Sequence, residues 1–446
     1  MRHLLDFYPL LNHICPALPA PPTEPFHSPC IQAQTGAVFW PGPGSGDPIV
    51  AALAATDHHL VYLNLSLTGV ELPPSTDLLT YYAPAQELGG APLQAALHNI
   101  IDHHVVIDYG LIDDIIQVID ESPTNNTQVH LLYSNHNLPK SSANLAGGWN
   151  REHVWPRSDG IGDEGPDYSD LHHLFPCKDT VNSLRSNLPF DEGSIVLAFD
   201  PFAPESFSDG NSWEPLDRDK GIVARAQLYM MTRYDGSEPL TTDLLLADNP
   251  SPVGTQGVLS TLLAWHRAFP PTDYERARND AIYAGVTVNG ATHAQGNRNP
   301  FIDFPQFADG IFLNATTTSF AKWQLQHFTL AQLLNGAISG AAADPDGDRR
   351  SNYAEFLLHG NPLTSLDTPV SIALNGGQIT IVFDRPKGLV PETASIQTST
   401  TLAPGSWTTV VNWAASAASA DLGEYERVTY TTTAGEPLRY WRVVFQ

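Results

Sequence analysis

Between residues 149 and 187 the chain carries two strand-like runs and a polar helix start in close succession, within "WNREHVWPRS" and "DLHHLFPCKDTVNSLRSN". Strand, strand and helix in so short a span form a compact unit, and the rest of the fold has to be built around it. The first run sets Glu152 directly before His153. Alternation along a strand sends neighbours to opposite faces, so a shared role for the two requires one local bend. The second run offers Asp170, His172 and His173 on a strand, a stop at Pro176, and then a helix opening with Asn182, Arg185 and Asn187.

These residue types suit one chemistry. A glutamate is a hard oxygen ligand for Mg²⁺, and a histidine of near-neutral intrinsic pKa is a candidate general base. A Glu-His pair alone is weak support, because in most strands one of the two is buried and the other exposed. The second run strengthens it by setting Asn182 opposite Glu152, which gives Mg²⁺ two protein oxygens and leaves positions for water and a phosphate.

At 446 residues the chain exceeds one ordinary core, and two or three domains are expected. No apolar run reaches the roughly 18 residues of a membrane span. The formal charge of −26 argues against coating nucleic acid by electrostatics alone. It leaves room for an enzyme that meets phosphate locally through a metal and a few arginines. Before residue 140 the only basic residue is Arg2, whereas residues 140–315 hold 13 of the 22 lysines and arginines. Most of these are expected to balance the acids of the same segment. Three cysteines, Cys15, Cys30 and Cys177, do not make a disulfide framework, although a bridge between Cys15 and Cys30 stays open. The first 22 residues make a poor secretion signal, since Asp6, Asn12 and His13 interrupt the apolar stretch.

Four regions follow from composition and periodicity. Residues 1–78, rich in Pro, Gly and His with one apolar stretch at 58–67, read as an irregular leader or small β element. Residues 79–316 carry helical spacing in "APLQAALHNII" and "LIDDIIQVID", a strand at 127–134, and helices at 218–234, 259–269 and 273–284. Residues 317–368 read as a helical linker, and 369–446 as strand-like runs broken by Gly, Pro and Ser turns, a small β-sandwich.

"NREHVWPRS", "DLHHLFP" and "VNSLRSN" resemble the three motifs of the endonuclease I family, metal-dependent nucleases of the ββα-metal superfamily. The similarity extends over "YYAPA" (81–85), residues 213–234 and "ERARNDAIYA" (275–284), and ends at "QGNRNPFID". It implies an α+β fold with a ββα-metal core embedded in a mostly helical domain, ahead of the all-β sandwich. It further implies non-specific cleavage of DNA, and often of RNA, to 5′-phosphate products, with Mg²⁺ held by Glu152 and Asn182 and water activated by His153. Some members carry a long basic insertion between the first two motifs that supplies a phosphate-holding arginine; here the gap is the acidic "DGIGDEGPDYS" (159–169). Arg157 and Arg185 are the candidates for that role, and either could instead be a structural ion-pair partner. Asp170 and His172 are expected to support or pack rather than ligate, and "QGNRNPFID", with Arg298, to close the core.

A second motif lies further on. "DPDGDRRSNYAE" (344–355) sets Asp344, Asp346, Asp348, Asn352 and Glu355 at positions 1, 3, 5, 9 and 12 of a Ca²⁺ loop, with Arg350 offering its carbonyl at position 7. Position 6, where the sharp turn calls for glycine, is Arg349. The loop resembles those that precede β-sandwich appendages in secreted bacterial enzymes, which favours an extracellular or cell-surface protein, expected as a monomer. The sequence names no partner for the sandwich. The competing reading is a surface or adhesion protein whose nuclease fold has lost activity; the intact Glu152, His153 and Asn182 speak against it.

Overall fold

The computed structural model describes residues 78–193, 200–249, 254–365, 369–390, 392–433 and 439–445. The leader expected over 1–78, with its apolar stretch and its open cysteine pairing, lies outside the described residues but for Leu78.

Helix α1, Gly90–Ile101, buries Leu93, Leu97 and Ile101, and α2, Ile112–Ile119, buries Ile112, Ile115, Ile116 and Ile119. Both show the three- and four-residue spacing that puts apolar side chains on one helix face. Strand β1, Asn125–His130, ends sooner than the alternation of 127–134 predicts. The chain turns at Tyr133, whose φ is +64° and whose N–H donates to the buried carboxylate of Asp219 at 2.6 Å.

Strands β2, Trp149–His153, and β3, Leu174–Lys178, pair antiparallel with Glu152 opposite Phe175 and His153 opposite Leu174. Helix α3, Asp179–Arg185, follows without a break and completes the ββα unit. Two expectations are corrected here. Asp170, His172 and His173 are not on the second strand but in the buried turn before it. Pro176 does not stop the strand; it pairs with Arg151, and its carbonyl accepts from Leu132 N–H at 2.9 Å. In an antiparallel strand the N–H and C=O of one residue point the same way, so the missing N–H faces away from β2 and the ladder loses no bond.

Helix α4, Asp217–Arg233, is buried along nearly its whole length, and α5, Leu259–Ala268, packs against it. Helix α6, Asp273–Ala284, opens with a capping box between Thr272 and Glu275. Buried charge in these helices is paired: Arg225 with Glu275 at 2.6 Å, Arg278 with Asp120 at 2.7 Å, and Arg298 with Asp303 at 2.7 Å. The central arginines thus belong to the scaffold, and Arg298 in "QGNRNPFID" is one of them.

Beyond these, α7, Phe320–His327, and α8, Asn352–Leu358, send Trp323, Phe356 and Leu357 into the same apolar core as α1 and α4. One sheet then forms in the order β4, Val370–Asn375; β5, Gln378–Pro386; β9, Tyr425–Thr433; β8, Ala418–Asp421. The other has β6, Ala394–Ser399, between β7, Thr408–Thr409, and β10, Tyr440–Phe445. Ile381, Phe383, Val428 and Tyr430 alternate inward to meet Ile396 and Trp413, as two packed sheets require. The fold is α+β. Among the described residues no helix is long and apolar enough to cross a membrane.

Candidate active site

Strand β2 ends at His153, so the alternation that would separate His153 from Glu152 ends with it. Arg151, Glu152 and His153 all line one open cleft of about 770 Å³, together with Arg157, Asp163, Asn182 and Arg185. Helix α3 leaves β3 at an angle that lays Asn182 against β2, where its Nδ2 donates to Asn150 Oδ1 at 2.8 Å and to the Arg151 carbonyl at 3.0 Å. Two acceptors on the nitrogen fix the amide orientation. Its Oδ1 is left without a protein donor among the described residues.

Glu152 is buried, at 1 % exposure. Its Oε1 accepts from the Tyr133 hydroxyl at 2.9 Å and lies 3.4 Å from Arg185 Nη1; Oε2 has no protein donor among the described residues. Burial pushes the Glu152 carboxyl up to about 7, against the opposing pull of Arg185 and of the Tyr133 hydroxyl. A buried carboxylate and a free amide oxygen on the same cleft could serve as oxygen donors to a small divalent cation.

His153 is the complementary element. Burial, with lesser contributions from His173, Arg157 and Arg151, holds its pKa well below 6.5, against the opposing pull of the Tyr168 backbone. Its Nε2 is buried with no hydrogen-bond partner. A neutral imidazole keeps the lone pair of one ring nitrogen able to accept a proton. The ring also stacks at 5.6 Å on Tyr168, which stacks at 3.9 Å on Tyr109.

The two candidate arginines differ. Arg185 is 1 % exposed, and its guanidinium donates to the carbonyls of His153, Val154 and Ser186 besides approaching Glu152. Arg157 has a side chain 46 % exposed at the cleft, where it pairs with Asp163 of the acidic gap and lies 5.3 Å over the Tyr168 ring. Asp170 accepts from the hydroxyls of Tyr229 and Tyr234 and from Gln295, while His172 and His173 meet the carbonyls of Asn297 and Asp167.

Sequence reasoning missed Tyr133, which hydrogen-bonds Glu152, and Tyr168, which holds His153. "YS" at 133–134 and "DYS" at 167–169 are ordinary in composition. Only the fold brings them to the site.

The sequence model of a family described as Endonuclease I matches residues 89–306. The extracellular ribonuclease of Bacillus amyloliquefaciens is 40% identical over 245 residues, 54% of this chain and 81% of that protein. The chain belongs to the endonuclease I family. The extracellular ribonuclease of Bacillus subtilis (strain 168) is likewise 40% identical, over 243 residues, 54% of this chain and 80% of its own. Family and relatives support a nuclease, a phosphodiester hydrolase acting on nucleic acid, and the endonuclease I family suggests dependence on a divalent metal.

The second predicted group lies in the loop before α8. Asp344, Asp346 and Asp348 offer carboxylate oxygens within 4.8 Å of one another, and Asn352 and Glu355 follow on the helix, both fully buried.

Proposed function

We propose that the protein is a secreted, Mg²⁺-dependent, largely sequence-non-specific endonuclease that hydrolyses phosphodiester bonds of DNA and RNA to 5′-phosphate products. One observation carries the reading. A neutral His153 lines the same cleft as Glu152 and Asn182. Glu152 Oε2 and Asn182 Oδ1 would hold Mg²⁺, which when bound neutralises charge developing on the phosphate and the leaving oxygen. The neutral His153 ring takes the proton of the attacking water, and stacking on Tyr168 keeps the ring in position. Arg157, exposed at the rim and held only by Asp163 and the Tyr168 face, swings to the phosphate as the substrate enters. Arg185 holds Glu152 in place rather than touching substrate. The names of the Bacillus relatives favour RNA among the substrates and an extracellular site of action.

The test is degradation of plasmid DNA and of a structured RNA by the full chain, with Mg²⁺ and with EDTA, beside His153→Ala. Cleavage that needs Mg²⁺ and is lost in the variant is expected. Cleavage of neither polymer under any divalent metal would favour the competing reading of an inactive nuclease fold. Products that require kinase treatment before ligation would overturn the leaving-group assignment.

A further inference from the structure

The loop at 344–355 lies outside the segment matched by the endonuclease I family. We infer that it is a Ca²⁺ site, separate from the catalytic cleft, and that the ion clamps the joint between the nuclease body and the β-sandwich.

The three aspartates set their carboxylate oxygens within 4.8 Å of one another, close enough for one cation to bridge. An acidic cluster alone is common on surfaces, and the deciding observation is Asn352. It is fully buried, and its Nδ2 donates to the carbonyls of Ile338 at 2.7 Å and Gly340 at 2.9 Å. Those bonds fix the amide and send Oδ1 the other way, where it is buried with no hydrogen-bond donor. Asp346 Oδ2 is likewise buried without a hydrogen-bond donor among the described residues. Orphaned acceptor oxygens on residues 3 and 9 of one 12-residue loop are costly unless a cation satisfies them. Residue 12 is Glu355, a fully buried carboxylate on the first turn of α8. The Arg350 guanidinium pairs with Asp348, so the ion shares that carboxylate with it. Six or more oxygens from carboxylates, an amide and a backbone carbonyl suit Ca²⁺; Mg²⁺ dehydrates reluctantly and rarely uses an all-protein cage.

The position gives the ion its role. Helix α8 carries Phe356 into the core shared with Trp323, while the Phe356 carbonyl accepts from the hydroxyl of Tyr425, the first residue of β9, at 3.0 Å. His359, just after α8, stacks on Tyr425 at 4.0 Å and meets Asp384 of β5 at 3.1 Å. Fixing the start of α8 therefore fixes contacts on both sides of the joint.

The experiment uses the full chain in a Glu152→Ala background, stripped of metal and kept in excess Mg²⁺. Calorimetric titration with CaCl₂ should show one site with a Kd below about 1 mM. Asp344→Asn, at an exposed position that leaves the fold intact, should weaken it at least tenfold, and Asp346→Asn/Asp348→Asn should abolish it, with circular dichroism confirming folding. Ca²⁺ should also slow proteolytic release of a C-terminal β fragment severalfold in the parent and not in the double variant. No Ca²⁺ binding by the parent, or equal binding by Asp344→Asn, overturns the site. Binding without any change in fragment release overturns the clamp.

Discussion

Arg185 Nη1 lies 3.4 Å from Glu152 Oε1, and both side chains are shut away from solvent at 1 % and 2 % exposure. The pair explains how a carboxylate can be kept inside a protein yet ready for a metal: Arg185 offsets part of the burial penalty, and Tyr133 takes one more lone pair. Removing Arg185 leaves a buried anion alone. Arg185→Ala should therefore cost about 3–5 kcal/mol of stability at pH 8. At pH 5, below the raised Glu152 pKa of about 7, the carboxyl is neutral in the folded protein, and the loss should be smaller. Urea unfolding at the two pH values checks this, and equal losses would show that packing of Arg185 on Phe190, not charge, is what matters.

The same pKa sets how the metal response depends on pH. In the proposed mechanism Mg²⁺ needs the ionised carboxylate of Glu152, which loses its proton only as pH rises through about 7. His153, held well below 6.5, stays neutral over that range. Half-saturating Mg²⁺ should fall by close to tenfold per unit as pH rises toward 7, then level off above about 8. Rate measured against Mg²⁺ at several pH values decides it; a flat dependence would mean that Glu152 is ionised throughout.

In the proposed mechanism His153→Ala removes the proton acceptor and no ligand. Cleavage should drop by roughly 10²–10⁴, with the half-saturating Mg²⁺ unchanged. Glu152→Ala should behave in the opposite way, with the metal response itself displaced. If both variants shift the Mg²⁺ dependence equally, the division of labour between base and ligand is wrong.

Salt reports on the remaining charge. Many of the central arginines are committed to acids inside the scaffold, as Arg225, Arg278 and Arg298 are, so few phosphates are neutralised on binding. Each contributes about 0.9 to the log-log salt slope. The net charge of −26 repels substrate most at low ionic strength, where the Debye length reaches roughly 30 Å against 8 Å at about 0.15 M. An activity optimum at moderate NaCl is expected, and Arg157→Ala should flatten the falling limb by about one phosphate. A steep monotonic loss from the lowest salt would point to a wider basic cleft.

How much of this the sequence discloses depends on distance along the chain. Glu152, His153 and Asn182 lie within one ββα unit, and their types and spacing suggest the proposed metal ligands and base. Tyr133 and Tyr168 reach the same residues through folds of the chain that no local pattern encodes. The turn at 170–173 misleads for a related reason. Running straight into an apolar stretch, it reads as the start of the strand, yet His172 and Asp170 are buried by partners such as Asn297 and Gln295, about 125 residues away, which satisfy them where a sheet would not. Arg185 reads from sequence as either a phosphate-holding cation or a structural ion-pair partner, and only the Glu152 contact and the three carbonyls show it engaged in the fold.

Arg349 offers the most specific test of the second loop. It stands where a Ca²⁺ loop calls for glycine, and it nonetheless adopts the left-handed turn, at φ +77°. Its N–H still donates to Asp344 Oδ2 at 3.0 Å, so the backbone makes the turn despite the side chain. That conformation costs a non-glycine residue about 1–2 kcal/mol, part of which a glycine returns through its larger unfolded-state entropy, roughly 0.5–1 kcal/mol. Arg349→Gly also removes a positive charge beside the ion. The variant should unfold a few degrees higher than the parent in Ca²⁺ and bind the ion severalfold more tightly, while nuclease activity at saturating Mg²⁺ stays the same. Thermal scans with and without Ca²⁺ separate the two effects, since strain relief acts in both and the charge only when the ion is bound. A variant that gains neither stability nor affinity would mean that the loop is not shaped around a cation.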